Sequence, residues 1–257
     1  MQEMRKGLVR DMIHYHGSPL GTAQDLPTFY TGRHALVSYA HPGDLGVIME
    51  CAQTFCLDNG AFSFWKSGTP VDWDAYIVWV KALSRHPNFD FWLIPDVIDG
   101  TEDDNWRLMF KYGRSIPYAV PVYHFHESLE YLEKLVVNYP RIALGSSAQW
   151  ATVGTESWWS RMAEIMSVCC DSDGIPRTKL HGLRMLDTGV FSRLPLSSAD
   201  SCNAVINSKA IKRFGMYPPG SKAGRAAVIA NRIEAHNCCP IWIPHGQEAF
   251  QFHSAEL

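Results

Sequence analysis

Residues 89–112, FDFWLIPDVIDGTEDDNWRLMFKY, contain the unit from which the fold is predicted. The run at residues 89–94 is short, apolar and aromatic, which is typical of a strand buried on both faces of a sheet. Asp96 follows this run, and residues 103–112 then place apolar side chains at the spacing of an amphipathic helix. The stretch is therefore predicted to form a strand, a loop with an acidic residue, and a helix.

Comparable runs, each ending near Gly, Asp, Ser or His, recur along the chain. They lie at residues 35–40, 54–57, 89–94, 118–123, 141–144, 179–185 and 194–198. Helical spacing is found at residues 72–83, 103–112, 128–137 and 156–168. Strands that alternate with helices form parallel sheets, and the number of units favours a (β/α)8 TIM-type barrel over a doubly wound sheet. The eighth strand is expected near residues 210–216, and residues 1–257 are expected to form a single domain.

The composition is that of an ordinary globular protein. The chain has 257 residues, of which 46% are hydrophobic and 19% charged, with 23 Lys and Arg against 26 Asp and Glu, a formal net charge of -3. These values exclude a disordered chain, a collagen-like fibre and a generally basic nucleic-acid binder. The seven cysteines match neither a disulfide framework nor CxxC spacing, so we expect reduced thiols in a cytoplasm. We expect neither export nor membrane insertion, because no apolar run approaches about 20 residues.

Polar residues and glycines lie at the ends of the predicted strands, which share one rim of a barrel. They are Asp58, Asp96, His124, His126, Gly145, Ser146, His181, Gly182 and Asp200. A single strand-end aspartate is often structural, because carboxylates cap helices and hold loops. Three aspartates on three different strand ends instead indicate chemistry at the rim. One carboxylate can attack an anomeric carbon while a second moves the leaving-group proton, and substitution at a glycosidic carbon needs such a pair.

The order and spacing of these segments, from residue 35 to residue 200, resemble those of tRNA-guanine transglycosylases. Residues 58–62, DNGAF, resemble the DSGGF loop of that family, and Asp96 stands at the position of its base-reading aspartate. Residues 145–147, GSS, look like a degraded form of its GGL turn, and Asp200, at the end of the seventh predicted strand, aligns with its nucleophilic aspartate. The segments LDNGAF, HGL and SADS are most similar to compact phage-type members that place 7-deazaguanine bases in DNA.

The resemblance implies a pentosyltransferase that exchanges a guanine in DNA for a free 7-deazapurine base such as 7-cyano-7-deazaguanine (preQ0). Asp200 would attack C1′ of the sugar, and Asp58 would act as general acid and base. Asp96 would bind the amidine edge of the purine, the Gly145 and Ser146 backbone its carbonyl, and Phe62 would stack near the base. The other residues expected to contact the base are Asn59, Gly60, His124, His126, His181 and Gly182. Such an enzyme would protect phage DNA from restriction in the host cytoplasm.

The chain departs from the tRNA enzymes in two ways. Those enzymes bind structural zinc through a Cys-x-Cys-x-x-Cys run and a distant His, whereas this chain has the adjacent pair Cys238-Cys239 with only His236 and His245 nearby. We therefore expect no zinc-binding insertion, no metal and no cofactor. The missing zinc segment and the short chain favour DNA as the partner, with tRNA as the alternative. The family's glutamine after strand four is also missing, and His124 or His126 stands roughly in its place.

Residues 207–235 form a basic C-terminal segment on a chain that is acidic overall. Lys209, Lys212, Arg213, Lys222, Arg225 and Arg232 face only one acidic residue there, Glu234. Such a patch neutralises phosphates when it binds a nucleic acid, although a solvated helix surface has the same composition. Its place directly after Asp200 favours the nucleic-acid interpretation, with Lys209, Lys212, Arg213, Lys222 and Arg225 as the contacts.

Two other classes of function remain open from the sequence. His14 and His16 form an H-x-H pair, as do His124 and His126, and metal-dependent barrel hydrolases use pairs of this kind. With His181 and Asp200 these histidines would build a metal site, although residues 14–16 are interpreted as a terminal loop. The third class is a barrel that binds a nucleic acid or a purine without catalysis.

Overall fold

The structure is a computed structural model and describes residues 11–21 and 24–244. Within these ranges, nine short strands form one parallel sheet. The strands are β1 (Ile13–Gly17), β2 (His34–Ser38), β3 (Thr54–Asp58), β4 (Phe89–Leu93), β5 (Ala119–Val120), β6 (Val122–His124), β7 (Arg141–Gly145), β8 (Lys179–Gly182) and β9 (Ser198–Ser201). The helices are α1 (Leu26–Tyr30), α2 (Leu45–Cys51), α3 (Ala61–Ser67), α4 (Trp73–Leu83), α5 (Glu102–Tyr112), α6 (Leu129–Asn138), α7 (Glu156–Cys169), α8 (Thr188–Phe191), α9 (Asn203–Asn207) and α10 (Lys222–Glu234).

A proline joins the two ends of this sheet. The strand order is β5-β4-β3-β2-β1-β9-β8-β7-β6, so β5 and β6 lie at its opposite edges. Only Pro121 separates them in the chain, and a proline has no N–H for the ladder. Its carbonyl oxygen still accepts a hydrogen bond from Ala143 N at 2.9 Å. β5 and β6 are thus two halves of one strand that closes an eight-stranded barrel, and the predicted (β/α)8 fold is confirmed.

The first strand of the barrel is β1, which the sequence analysis interpreted as a loop. The expectation of an eighth strand near residues 210–216 is wrong, because Ile211–Phe214 is a 3-10 turn. β1 instead lies between β2 and β9, and its two histidines face away from the barrel interior while Tyr15 lies inside it. Asp58 therefore ends the third strand and Asp200 lies in the eighth, each one strand later than expected.

The four predicted helices are confirmed as α4 to α7, with ends that differ by one residue or less. Each begins at a residue whose side-chain oxygen accepts a hydrogen bond from a backbone N–H of the first turn, namely Asp72, Thr101, Ser128 and Thr155. The helices that the pattern did not predict are mostly of four to seven residues, which is too short to show a helical period. Among the described residues, no helix is long and apolar enough to cross a membrane.

The alternation of side chains along the strands determines what the interior of the barrel contains. Its centre is filled by Tyr15, Leu36, Cys56, Phe91, Leu93, Val120, Val122 and Ala143. Side chains two residues further along a strand point the same way, so Ser38, Asp58 and His124 also point inward, at the carboxyl ends of their strands. The register places Ser38 beside Asp58 and His124 beside Gly145. The barrel therefore presents polar groups at one end of an apolar interior.

Substitutions at two glycines, one crowded and one in open space, test the packing between the end of β8 and the segment before β9. A Cβ added to Gly182 would lie 2.9 Å from Leu196 Cδ1 and 2.9 Å from Met185 Cβ, whereas one added to Gly46 in α2 meets no atom within 4 Å. We expect Gly182→Ala to lower the free energy of unfolding by about 1–3 kcal/mol through overpacking. Gly46→Ala should raise it by about 0.8 kcal/mol, because alanine favours a helix. Urea unfolding measures both, and equal stability of the two variants would contradict the packing described here.

Candidate active site

The carboxyl ends of the strands open into a cleft of about 1590 Å³. This is the end of a parallel barrel at which enzymes of this fold carry their active sites. Of the residues predicted to form the site, the cleft is lined by Asp58, Asn59, Phe62, Asp96, His124, His126, Gly145, Ser146 and Asp200. The structure therefore brings the three predicted strand-end aspartates to one cavity.

Asp58 is the last residue of β3 and is half-buried in the cleft wall. Its Oδ2 accepts a hydrogen bond from Gly60 N at 3.2 Å. Burial raises the pKa of Asp58 to about 6, and the nearby charges of Asp200 and Asp96 act in the same direction. The carboxyl group can therefore both hold and release a proton close to neutral pH, which is the property that a general acid and base requires.

Asp200 lies near the carboxyl end of β9 and is 6% exposed. Its Oδ1 accepts a hydrogen bond from Arg184 N at 3.1 Å. His181 Nε2 lies 3.4 Å from the same oxygen without the alignment of a hydrogen bond, while Nδ1 of that ring lies 2.8 Å from Ser198 Oγ. A backbone N–H and a neighbouring imidazole thus fix the direction in which the Asp200 carboxylate faces the cleft.

Asp96 belongs to a buried group of charged side chains in the cleft wall. His124 Nε2 lies 2.9 Å from Asp96 Oδ2, and His124 Nδ1 lies 3.7 Å from Glu127 Oε2. Burial alone would lower the pKa of His124, but the two carboxylates raise it to about 10. Glu127 is held in turn by Asn105 Nδ2 at 2.8 Å and by His124 N at 2.7 Å. An imidazolium therefore lies between two buried carboxylates.

The 2.9 Å contact between His124 and Asp96 leaves a hydrogen-bonding site open. The two atoms are close enough for attraction between charges but are not aligned as a hydrogen bond, so Asp96 Oδ2 has no hydrogen-bond partner among the described residues. The other oxygen, Oδ1, accepts a hydrogen bond from Asn59 Nδ2 at 2.5 Å. Asp96 thus keeps one buried acceptor for a further donor, and a buried acceptor without a partner is costly.

The DNGAF loop is rigid because its own side chains hold it. Besides binding Asp96, Asn59 Nδ2 donates to Ile94 O at 2.7 Å, and Asn59 Oδ1 accepts from Ala61 N at 2.9 Å. Gly60 has a φ of 77°, and an added Cβ would lie 2.9 Å from Ala40 N, so glycine is required there. Gly60, which was expected to contact the base, does not line the cleft. Asn59 lines the cleft and also orients Asp96.

Two further residues that were expected to contact the base do not line the cleft. His181 is fully buried inside the barrel, where its ring packs edge-on against Tyr15 and Phe91. Gly182 is enclosed by Met185 and Leu196. Neither lines the cleft, because neighbouring side chains fill the space around them.

Arg184 is a cleft residue that the sequence analysis missed. Its guanidinium carbon lies 3.6 Å from the centroid of the Phe62 ring, and its backbone N–H is the donor to Asp200. It has a φ of 59°, an uncommon conformation for a residue with a side chain. The expected stacking face of Phe62 is thus covered by a cation. Arg184 directly follows the HGL segment, but nothing in its spacing distinguished it from a surface arginine.

Two of the other residues predicted to contact the base, Ser146 and His126, already have polar partners within the protein. Ser146 Oγ accepts a hydrogen bond from Trp158 Nε1 at 2.9 Å, and His126 Nδ1 lies 2.8 Å from Ser147 Oγ.

In the basic segment, Lys209, Lys212 and Arg213 are exposed. Arg225 instead donates three hydrogen bonds to backbone oxygens, and Lys222 Nζ binds Leu20 O. The last two are therefore not free phosphate ligands as expected, because they hold loops of this protein together.

The histidine pairs do not converge on a metal site. His16 Nε2 lies 2.8 Å from Glu234 Oε1 in α10, and His14 Nε2 lies 3.0 Å from His236 O, so both face outward. His124 and His126 are on the cleft side. Among residues 11–21 and 24–244, no three His, Cys, Asp or Glu side chains are grouped as metal ligands. The arrangement that the metal-hydrolase alternative requires is therefore absent from the described part of the chain.

Comparison with known proteins shows the fold and no activity. No family model matches the chain, and no curated protein matches it. A solved structure of the tryptophan synthase α2β2 complex from the hyperthermophile Pyrococcus furiosus contains a similar chain, with 10% identity and a TM-score of 0.51, covering 87% of this chain and 96% of that one. A mutant tryptophan synthase α-subunit from the same organism matches with 10% identity and a TM-score of 0.50, covering 88% and 96%.

The raised pKa of Asp58 predicts a pH-dependent stability. Between the ordinary pKa of 3.8 and about 6 the folded protein binds more protons than the unfolded chain, so this carboxyl group costs stability as the pH rises through that window. We expect Asp58→Asn to raise the free energy of unfolding by about 2 kcal/mol at pH 8, a gain that fades towards pH 4. Urea unfolding at both pH values measures it, with the exposed Asp173→Asn as control. A pH-independent difference would contradict the buried position of Asp58.

The imidazolium between Asp96 and Glu127 predicts a second loss of wild-type stability with rising pH, in a higher pH window. His124→Gln leaves two buried carboxylates without a cation, so we expect a loss of about 3–5 kcal/mol at pH 6. The pKa of His124 is raised to about 10, so its contribution is complete below pH 6.5 and is lost as the pH rises through 10. The difference from wild type should therefore shrink between pH 6.5 and pH 10. His126→Gln is the matched control, and an equal effect of both variants would refute the buried ion group.

Proposed function

We propose that this protein is an enzyme, a DNA-guanine transglycosylase that exchanges guanine in DNA for a free 7-deazaguanine base of the 7-cyano type. The observation that supports this most strongly is that Asp58 and Asp200 line the same cleft and interact through their charges. Two carboxyl groups at one site, one of which exchanges a proton near neutral pH, are what an exchange at a glycosidic carbon requires. The resemblance of the DNGAF, HGL and SADS segments to the transglycosylases identifies the class of base.

The exchange consists of two substitutions at C1′ of the sugar. Asp200 attacks C1′, the bond to guanine breaks, and its electron pair stays on the base, which takes the proton held by Asp58. A covalent aspartyl-sugar ester results. The incoming 7-deazaguanine then gives its ring N–H proton to Asp58 and attacks C1′, and the Asp200 carboxylate leaves. A pKa of about 6 allows Asp58 to serve both steps near neutral pH.

Recognition of the base is assigned to Asp96. The amidine edge of guanine and of 7-deazaguanine has two neighbouring N–H donors, and Asp96 Oδ2 is a buried acceptor without a hydrogen-bond partner among the described residues. His124 keeps a positive charge behind this carboxylate, and Asn59 fixes its other oxygen. The backbone of Gly145 and Ser146 lines the cleft and is proposed to bind the carbonyl of the base.

DNA is the proposed polymer, with tRNA as the alternative. Lys209, Lys212 and Arg213 are exposed cations in the segment that follows the strand of Asp200, where a polynucleotide entering the cleft has to place its backbone. The absence of a zinc-ligand run from the sequence separates this chain from the tRNA enzymes. The proposed role is modification of phage DNA in the host cytoplasm as protection from restriction.

Incubation of the protein with radiolabelled guanine tests the exchange, with duplex DNA or tRNA as acceptor. We expect label to enter DNA and not tRNA. Asp200→Asn and Asp58→Asn should each lower incorporation at least about a thousandfold, because each removes a group that bonds or protonates the reacting atoms. Asp173→Asn, an exposed aspartate outside the cleft, is the matched control and should retain wild-type incorporation.

The same assay distinguishes the alternatives. Label that enters only tRNA would identify the polymer as tRNA. A wild-type protein that transfers neither guanine nor 7-cyano-7-deazaguanine into either polymer would contradict the proposed function. Undiminished incorporation by Asp200→Asn would contradict the assignment of the nucleophile.

A further inference from the structure

Residues 209–218 form a surface loop that is closed at its base by one arginine side chain. Arg225 Nε donates to Ser208 O at 2.7 Å, and Arg225 Nη1 donates to Pro219 O at 2.9 Å and to Gly220 O at 3.0 Å. The two ends of the segment therefore meet at a single guanidinium group. We call residues 209–218 the Arg225 loop.

This loop exposes side chains of two kinds next to one another. Met216 is 84% exposed and Tyr217 is 89% exposed, more than any other large apolar side chain in the described ranges. Lys209, Lys212 and Arg213 are exposed in the same loop, and no carboxylate forms an ion pair with them among residues 11–21 and 24–244. Cations beside an exposed aromatic ring are the groups with which proteins bind phosphates and stack on bases.

The loop starts at the edge of the cleft. α9 follows β9, the strand of Asp200, and its last residues Ile206 and Asn207 line the cleft. Ser208, the next residue, is one of the two ends held by Arg225. Tyr217 is two residues from Pro219, at the other end, and two residues span at most about 7 Å. The exposed Tyr217 ring therefore lies close to the edge of the cleft, because Arg225 binds both ends of the loop.

We propose that the Arg225 loop docks on duplex DNA and that Tyr217, with Met216, enters the base stack at the position that the target guanine leaves. This rests on the proposed function, because the cleft takes a guanine of duplex DNA only after it has left the helix. Extrusion costs the stacking and pairing of that base, and stacking of its neighbours on an aromatic ring offsets part of this cost. Lys209, Lys212 and Arg213 bind the phosphates on either side.

The other large aromatic residues near the cleft are already engaged. Trp158 is fully buried and stacks on Phe125, with its Nε1 bound to Ser146. Trp65 is 51% exposed, but its Nε1 donates to Asp99 Oδ2 at 3.0 Å. Tyr217 has no such bond in the structure's hydrogen-bond network, and Gly215, with a φ of 74°, turns the chain just before it. The loop thus presents a Tyr217 ring that is 89% exposed.

Salt dependence of binding tests the docking surface. We expect the slope of log K against log salt concentration for a 30-base-pair duplex to be smaller by about 3 in the triple variant Lys209→Gln, Lys212→Gln, Arg213→Gln, since about 0.9 is lost per phosphate contact. The matched control neutralises Lys81, Arg85 and Lys134, exposed cations outside the loop. Fluorescence anisotropy measures both. Equal slopes in the two triple variants, or a change for tRNA without a change for duplex DNA, would overturn the proposal.

Exchange into duplex and single-stranded DNA of one sequence tests the insertion of Tyr217. A single strand requires no extrusion, so Tyr217→Ala should lower the ratio of duplex to single-strand exchange at least tenfold, and Tyr217→Phe should restore it. The control Tyr118→Ala changes an exposed tyrosine at the opposite, amino-terminal end of the strands. A ratio that Tyr217→Ala leaves unchanged would overturn the insertion while leaving base exchange intact. Failure of the wild type on both forms of DNA would instead count against the proposed function, and the salt test still decides the docking surface.

Discussion

Repulsion among three carboxyl groups at one end of the barrel is the constraint on which the site depends. Asp58, Asp96 and Asp200 line a single cleft; burial raises the pKa of Asp58, and the charges of the other two aspartates raise it further. The protein offsets this repulsion differently for each group. His124 supplies a cation behind Asp96, the Arg184 backbone N–H binds Asp200, and Asp58 takes up a proton at a pH near 6. In a site with two carboxyl groups, different surroundings make one the proton donor and leave the other ionised as the nucleophile.

The barrel itself produces this crowding. Parallel strands that close into a cylinder point alternate side chains inward, so residues at equivalent positions on different strands meet at the carboxyl end. Asp58 and Asp200 come from the third and eighth strands, far apart in the sequence, and are brought to one cavity because β1 pairs with both β2 and β9. The apolar layer below them, which includes Cys56 and Phe91, keeps water from the lower side of the site. The same geometry that builds the core therefore sets the proton affinity of Asp58.

The sequence predicts the repeated strand and helix unit well. It predicts poorly the residues whose roles depend on side-chain contacts. Four helices and most strands follow from periodicity and capping, because those signals are local. β1 was missed because histidines occupy its outward positions, where an apolar residue is expected, and the one that faces α10 is bound by Glu234. The strand-end aspartates were identified from their place after apolar runs. Arg184 and Glu127 were not, because their roles depend on side-chain contacts that the sequence pattern does not show. Arg184 covers Phe62, which is distant in the sequence, and Glu127 faces His124, three residues before it. Charge content likewise did not reveal that Arg225 is used to close a loop.

The most direct test of this account is the titration of Asp58 by carbon NMR of labelled aspartate carboxyl groups, in the wild type and in Asp200→Asn. If the two side chains share one cleft, Asp58 titrates in the wild type with a pKa of about 6, and removal of the Asp200 charge lowers that value measurably. An Asp58 pKa near 3.8 in the wild type, or one that is identical in the two proteins, would contradict the shared site and with it the proposed division of acid and nucleophile.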